Sequence, residues 1–60
     1  MKVGHLYEIT LKNGDELYGY TVYEKTGNEY VVGYDGIDGN LDFRRIIKEE
    51  DIGMCAEVVV

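Results

Sequence analysis

Tyr7, Ile9 and Leu11 alternate with Glu8, Thr10 and Lys12, the period-two pattern of a strand with one face buried and one wet. Val3 and His5 continue the same phase toward the N-terminus. Asn13-Gly14 follows, the dipeptide that most readily adopts positive φ at both central positions of a two-residue hairpin turn. Residues 16–24 are rich in aromatic and β-branched types and predict a second strand. Its alternation puts Leu17, Gly19, Thr21 and Tyr23 on one face and Tyr18, Tyr20 and Val22 on the other. Both faces carry apolar bulk, so the strand is expected to curve strongly, with Gly19 at the bend where a side chain is missing. Thr26-Gly27-Asn28 is a second turn signal, and residues 29–34 read as a third strand. Asp35-Gly36-Ile37-Asp38-Gly39-Asn40 is a loop by composition. Residues 41–46 predict a fourth strand with Leu41, Phe43 and Ile46 inward, Lys48-Glu49-Glu50-Asp51 at most a helical turn, and residues 54–60 a fifth strand.

Five short strands with turn signals every eight to twelve residues and no helix of two turns predict an all-β fold. The expectation is a small five-stranded meander barrel, one domain over residues 1–60, with at most one short helical turn. The absence of proline leaves every strand residue able to donate to a ladder. A domain of this size buries only about 60% of its unfolded surface, so a tight core or pairing with another copy is needed for a safe stability margin. Val58, Val59 and Val60 end the chain as an apolar strand with no charge beyond Glu57 to blunt its edge. This predicts a homo-oligomer formed by edge addition; the alternative is that the valines pair only within the barrel.

The charge balance narrows the function classes. Twelve acidic against six basic residues give a formal charge of -6. That disfavours binding to a nucleic-acid backbone through bulk charge, because phosphate contacts need a positive surface. No apolar run approaches the ~20 residues of a membrane span, and Met1-Lys2-Val3-Gly4-His5 lacks the apolar core of a secretory leader. The single Cys55 rules out an intrachain disulfide framework and a multi-cysteine zinc site, and a lone thiol suits a reducing, cytoplasmic setting.

Leu11, Lys12-Asn13-Gly14, Leu17 and Gly19 carry a resemblance: an apolar residue, a Lys-Asn-Gly turn, an apolar position three beyond the glycine and a second glycine two further on. This resembles the first half of the Sm-like, SH3-like barrel. The third strand, the Gly-rich loop and Leu41-Asp42-Phe43-Arg44-Arg45-Ile46 look like the Rho-binding antiterminator branch of small Sm-like proteins. The resemblance spans about two thirds of the chain, mostly as pattern. It implies a barrel that binds a protein partner belonging to a nucleic-acid machine, such as a transcription-termination factor. RNA-binding Sm proteins place an Asp, a stacking aromatic and an Asn after the second strand. This chain has Glu24-Lys25-Thr26-Gly27-Asn28 there, without a ring for a base, and it lacks the Arg-Gly-Asp/Asn run before the last strand.

Several constellations are candidates for chemistry. The six tyrosines combine contact area with a polar tip, the composition of recognition surfaces, and Tyr18, Tyr20 and Tyr34 are the expected contact residues. The bland reading is that most tyrosines complete a core short of Phe and Leu. Glu49, Glu50 and Asp51 form an acidic group suited to steering a basic partner, or simply to keeping a small domain soluble. Arg44 and Arg45 could grip a carboxylate or phosphate, though such a pair at a strand end is more often tied to nearby acids. With Asn28 they make the alternative site, that of an oligomeric Sm-like RNA or nucleotide binder. Asp35 to Asn40 superficially suggests calcium, but Ile37 and Gly39 stand where ligands are needed and no helices flank it, so no metal is expected. His5 and Cys55 lie near opposite ends, no serine exists, and sixty residues rarely enclose a dry catalytic cleft. The expectation is therefore a non-enzymatic module without cofactor that docks a basic protein partner.

Overall fold

A computed structural model describes residues 1–35 and 42–59. Its strands are β1 (Leu6–Leu11), β2 (Glu16–Thr26), β3 (Glu29–Asp35), β4 (Asp42–Lys48) and β5 (Ile52–Glu57), with a single 3₁₀ turn, Glu49–Asp51, between the last two. They form one antiparallel sheet in the order β4-β3-β2-β1-β5. The chain is all-β, with the short helical turn where the acidic run predicts it. Among the described residues no ladder joins β4 to β5, so these two strands are the sheet's edges.

The β1–β2 hairpin departs from the two-residue turn expected at Asn13-Gly14. Gly14 N donates to Leu11 O at 2.9 Å and Leu11 N donates to Asp15 O at 2.9 Å. Gly14 alone has positive φ, at 98°. This is a three-residue loop, Lys12-Asn13-Gly14, in which a type I turn is followed by a left-handed glycine. Asn13 stays at negative φ because its side chain does other work: its Oδ1 accepts from Asp15 N at 2.9 Å. The β2–β3 hairpin is a tight two-residue turn, Gly27-Asn28, with positive φ only at Gly27, the pattern of a type II′ turn.

β2 is where the alternation misleads. Tyr7 pairs with Tyr20 and Ile9 with Leu17, so β2 spends three steps where β1 spends two. The extra residue is a bulge at Tyr18-Gly19, and Gly19 takes φ 71° to make it. The bulge exchanges the strand's faces. Leu17 on one side of it and Val22 on the other both end up buried, with Tyr20 packed against the same core. Tyr18 and Tyr20 therefore do not share a face, contrary to the alternation, and the two-faced apolar pattern is the trace of a register shift. A second irregularity lies between Val22 and Glu24 opposite β3.

These bulges bend β2 sharply. Lys12 N donates to Asp51 O at 2.8 Å and Glu49 N to Asn28 O at 2.7 Å. The 3₁₀ turn thus holds both hairpin turns, which lie at opposite ends of β2. Eleven residues of straight strand would separate them by roughly 35 Å, while the three residues of the turn span only about 6 Å. The sheet is curled around its own core. Tyr7, Ile9, Leu11, Leu17, Val22, Tyr30, Val32 and Ile47 form that core, with Ile9, Val22 and Val32 fully enclosed.

β4 and β5 correct three further expectations. Ile47 is the buried residue of β4, opposite Tyr30, whereas Ile46 faces the other way and is exposed. Phe43 shares the core-facing side, opposite Tyr34, but lies beyond the end of the core and is 59% exposed. β5 begins at Ile52 and ends at Glu57, so Val58 and Val59 follow the strand rather than forming it. Val58 N still donates to Leu6 O at 2.9 Å, while Val59 is exposed. Val3 and His5 are exposed ahead of β1, where Gly4 turns the chain at φ 88°. Leu41, Val60 and most of the Asp35 to Asn40 loop, including the dismissed calcium reading, lie outside the described residues.

Candidate functional site

The pairings Tyr7–Tyr20 and Tyr34–Phe43 place four aromatic residues in one row across β1, β2, β3 and β4. The Tyr20 and Tyr34 rings meet edge to face at a centroid distance of 5.1 Å. Tyr34 and Phe43 lie parallel, 5.5 Å apart and only 9° from coplanar orientation. Both separations fall in the range where ring quadrupoles favour contact. Exposure rises along the row, from 6% at Tyr7 through a half-buried Tyr20 to 41% at Tyr34 and 59% at Phe43. One end is anchored in the core and the other offers stacked ring surface to solvent. Aromatic side chains presented in a fixed geometry give large contact area at little entropic cost.

The local structure fixes this arrangement from several directions. At the buried end the Tyr7 hydroxyl accepts from Lys2 N at 2.7 Å and donates to Glu57 Oε1 at 3.5 Å. The ring is thus tied to both the N-terminal segment and β5. His5 Nδ1 lies 3.4 Å from the same Glu57 oxygen. In the middle, the Gly19 bulge turns Tyr20 to the core side of β2. At the exposed end Gly33 is buried opposite Arg44, and a β-carbon there would collide with the main-chain carbonyl of Phe43. Glycine at this position lets β4 approach closely enough for the Tyr34–Phe43 stack. The ladder continues one pair further, Asp35 to Asp42.

Of the residues singled out from sequence, the structure brings Tyr20 and Tyr34 into contact and adds Phe43, which the strand pattern assigns to the core. Tyr18 is 70% exposed but stands at the bulge, outside the row. Glu49, Glu50 and Asp51 are exposed in the 3₁₀ turn at the far end of β4, six residues beyond Phe43. At the rise of a strand that is about 20 Å. The tyrosines and this acidic group are therefore two separate features rather than one patch.

The basic residues also separate. Arg44 lies over the Tyr23 ring, 4.6 Å from its centroid, and Lys25 over Tyr30 at 5.5 Å; both are cation–π distances. Arg45, the next residue on the strand, points to the opposite face. It lines a cleft of about 230 Å³ with Leu11, Lys12, Asn13, Ile47 and Asp51. Arg44 and Arg45 do not converge on one anion, and Asn28 sits in the β2–β3 turn with its carbonyl engaged by Glu49. Cys55 is exposed on β5 opposite Ile9. Among the described residues no group of three or more His, Cys, Asp or Glu is placed to hold a metal ion, and no helix is long and apolar enough to cross a membrane. Comparison of the chain with protein-family models, curated proteins and solved structures finds no match. The functional reading therefore rests on this chain's own geometry.

Proposed function

We infer that the chain is a non-enzymatic docking module whose Tyr20–Tyr34–Phe43 row receives a protein partner with a basic surface. The observation that carries this reading is the rise in exposure along a continuous row of ring contacts. An aromatic row that only completed a core would end under cover, whereas this one ends in a parallel stack open to solvent. Lysine and arginine side chains are the complementary chemistry, since both stack on aromatic faces. A formal charge of -6 favours their approach. The acidic group Glu49, Glu50 and Asp51, about 20 Å away along the strand, contributes long-range steering rather than contact.

The Sm-like resemblance fits the same role. Leu11 and Leu17 of that motif are buried, and Gly14 and Gly19 both take positive φ, so the motif positions support the strand–turn–strand unit they imply. The antiterminator branch it resembles implies a regulator of a transcription-termination factor, and a basic protein of a nucleic-acid machine is the partner class proposed. The test is capture from cell extract with the wild-type chain and with Tyr34→Ala/Phe43→Ala as parallel baits. The expected result is a basic protein retained by wild type, released by salt, and lost from the double variant while that variant keeps its β-sheet circular dichroism. Equal retention by both baits would overturn the assignment of the site.

A further inference from the structure

We propose that the cleft between β4 and the β1–β2 loop binds a short apolar monocarboxylate, its charged end held by Arg45 and Lys12. The cleft measures about 230 Å³, below the roughly 300–1,000 Å³ of drug-sized sites, so its occupant is small. Its floor is apolar, since Leu11 and Ile47 line it and both are buried. Arg45 stands two residues before Ile47 on the same, core-facing side of β4, opposite the fully enclosed Val32, and is half-buried. Lys12 lines the cleft from the loop. Both walls are held before any ligand arrives. β4 is paired to β3 along its whole length. Lys12 N donates to Asp51 O at 2.8 Å, which ties the loop to the 3₁₀ turn that continues β4. Walls fixed in this way spare a ligand the cost of ordering them.

Charge selects the ligand. The chain carries twelve acidic and six basic residues, yet the lining of this cleft, Lys12 and Arg45 against Asp51, has one net positive charge. Among the described residues neither Lys12 nor Arg45 forms an ion pair with an acid. Asp15, the next acid along the loop, is engaged by Asn13, whose Nδ2 donates to Asp15 Oδ2 at 3.3 Å. A half-buried guanidinium beside an apolar floor is completed by a carboxylate, whose two oxygens match its fork. One carboxylate neutralises the lining, and an aliphatic arm covers Leu11 and Ile47. Inorganic phosphate carries more than one charge at neutral pH and has no apolar part, so it fits neither feature.

The test is titration of the ¹⁵N-labelled chain with isovalerate, followed residue by residue by NMR. The expected result is a saturable shift of the Leu11, Lys12, Arg45 and Ile47 amides with a midpoint of roughly 1 mM, within reach of a ligand of about seven non-hydrogen atoms. Acetate keeps the charge and loses the arm, and is expected to bind roughly tenfold more weakly. 3-Methylbutylamine keeps the arm and reverses the charge, and is expected not to saturate. Arg45→Gln is expected to abolish saturation while the spectrum keeps its dispersion. Two exposed positions serve should that variant fold poorly. Lys12→Gln is expected to weaken isovalerate about threefold, and Asp51→Asn to strengthen it by a similar factor. Asp51→Asn spares the fold because what ties Asp51 to the loop is its main-chain carbonyl. Absence of saturation at about 20 mM isovalerate, equal binding of phosphate or of the amine, or shifts centred on Tyr20 and Tyr34 would overturn the proposal. So would Lys12→Gln and Asp51→Asn moving the affinity in the same direction.

Discussion

Two glycines show how one residue type serves this sheet in two physically different ways. Gly19 sits at φ 71° with open space where a β-carbon would go, so an alanine there meets strain in the backbone alone. Left-handed backbone costs an L-residue about 1–2 kcal/mol. Gly19→Ala is expected to lower stability by that amount in urea unfolding, with Gly19→Asn recovering part of it because asparagine tolerates this conformation. Gly33 has ordinary backbone angles but no room, since its β-carbon would meet the Phe43 carbonyl. Gly33→Ala is expected to push β4 away, costing about 1–3 kcal/mol as overpacked sites do. It should also weaken the near-ultraviolet circular dichroism of the Tyr34–Phe43 stack, a signal Gly19→Ala leaves largely intact. A chain of sixty residues has a total stability of roughly 3–9 kcal/mol, so either change is readily measured. Gly19 at a bend was legible in sequence as an interruption of a β-branched run. The need at Gly33 was not, because it arises from another strand's backbone.

At the scale of elements, local signals gave the strands and the environment decided their faces. Tyr7, Ile9 and Leu11 alternate without interruption and all three are buried as their spacing implies. In β2 the same rule fails past Gly19, because the bulged residue moves the side chains that follow to the other face, as far as the second irregularity between Val22 and Glu24. Nothing in residues 16–24 alone distinguishes a bulge from a smooth bend; only the pairing with β1 does. In β4 the apolar pair Ile46-Ile47 offers two possible phases, and Tyr30 across the ladder selects Ile47. The Lys12-Asn13-Gly14 loop was recognisable as a turn, but its type depends on the Asn13 side chain. Asn13→Ala removes the acceptor for Asp15 N and is expected to cost about 1 kcal/mol, a typical net worth for one such bond. Thermal unfolding compared with Lys12→Ala, which touches no side-chain bond in the turn, measures it.

For the molecule as a whole, the curled sheet presents the solvent end of the aromatic row on β3 and β4. Tyr34→Ala/Phe43→Ala is expected to reduce partner retention at least tenfold while moving the urea midpoint little, since neither ring belongs to the enclosed core. Raising salt from 0.05 to 0.5 M is expected to weaken the same retention, because exposed charges are screened over a few ångströms at the higher value. The tyrosine-rich composition made a recognition surface legible, but not which rings form it. Tyr7 and Tyr30 are buried, Tyr18 faces away from the core beside buried Leu17, the bulge turns Tyr20 inward, and Phe43 joins the row because its strand outruns the core. The most direct measurement is site-resolved nitration of the tyrosines, read by mass spectrometry on the free chain and on the chain holding its captured partner. In the free chain Tyr18 and Tyr34 should react and Tyr7 and Tyr30 should be spared, and the partner should then protect Tyr34 while Tyr18 keeps reacting. A Tyr34 already protected in the free chain, or a partner that shields Tyr18 and leaves Tyr34 reactive, would contradict the docking role of the aromatic row.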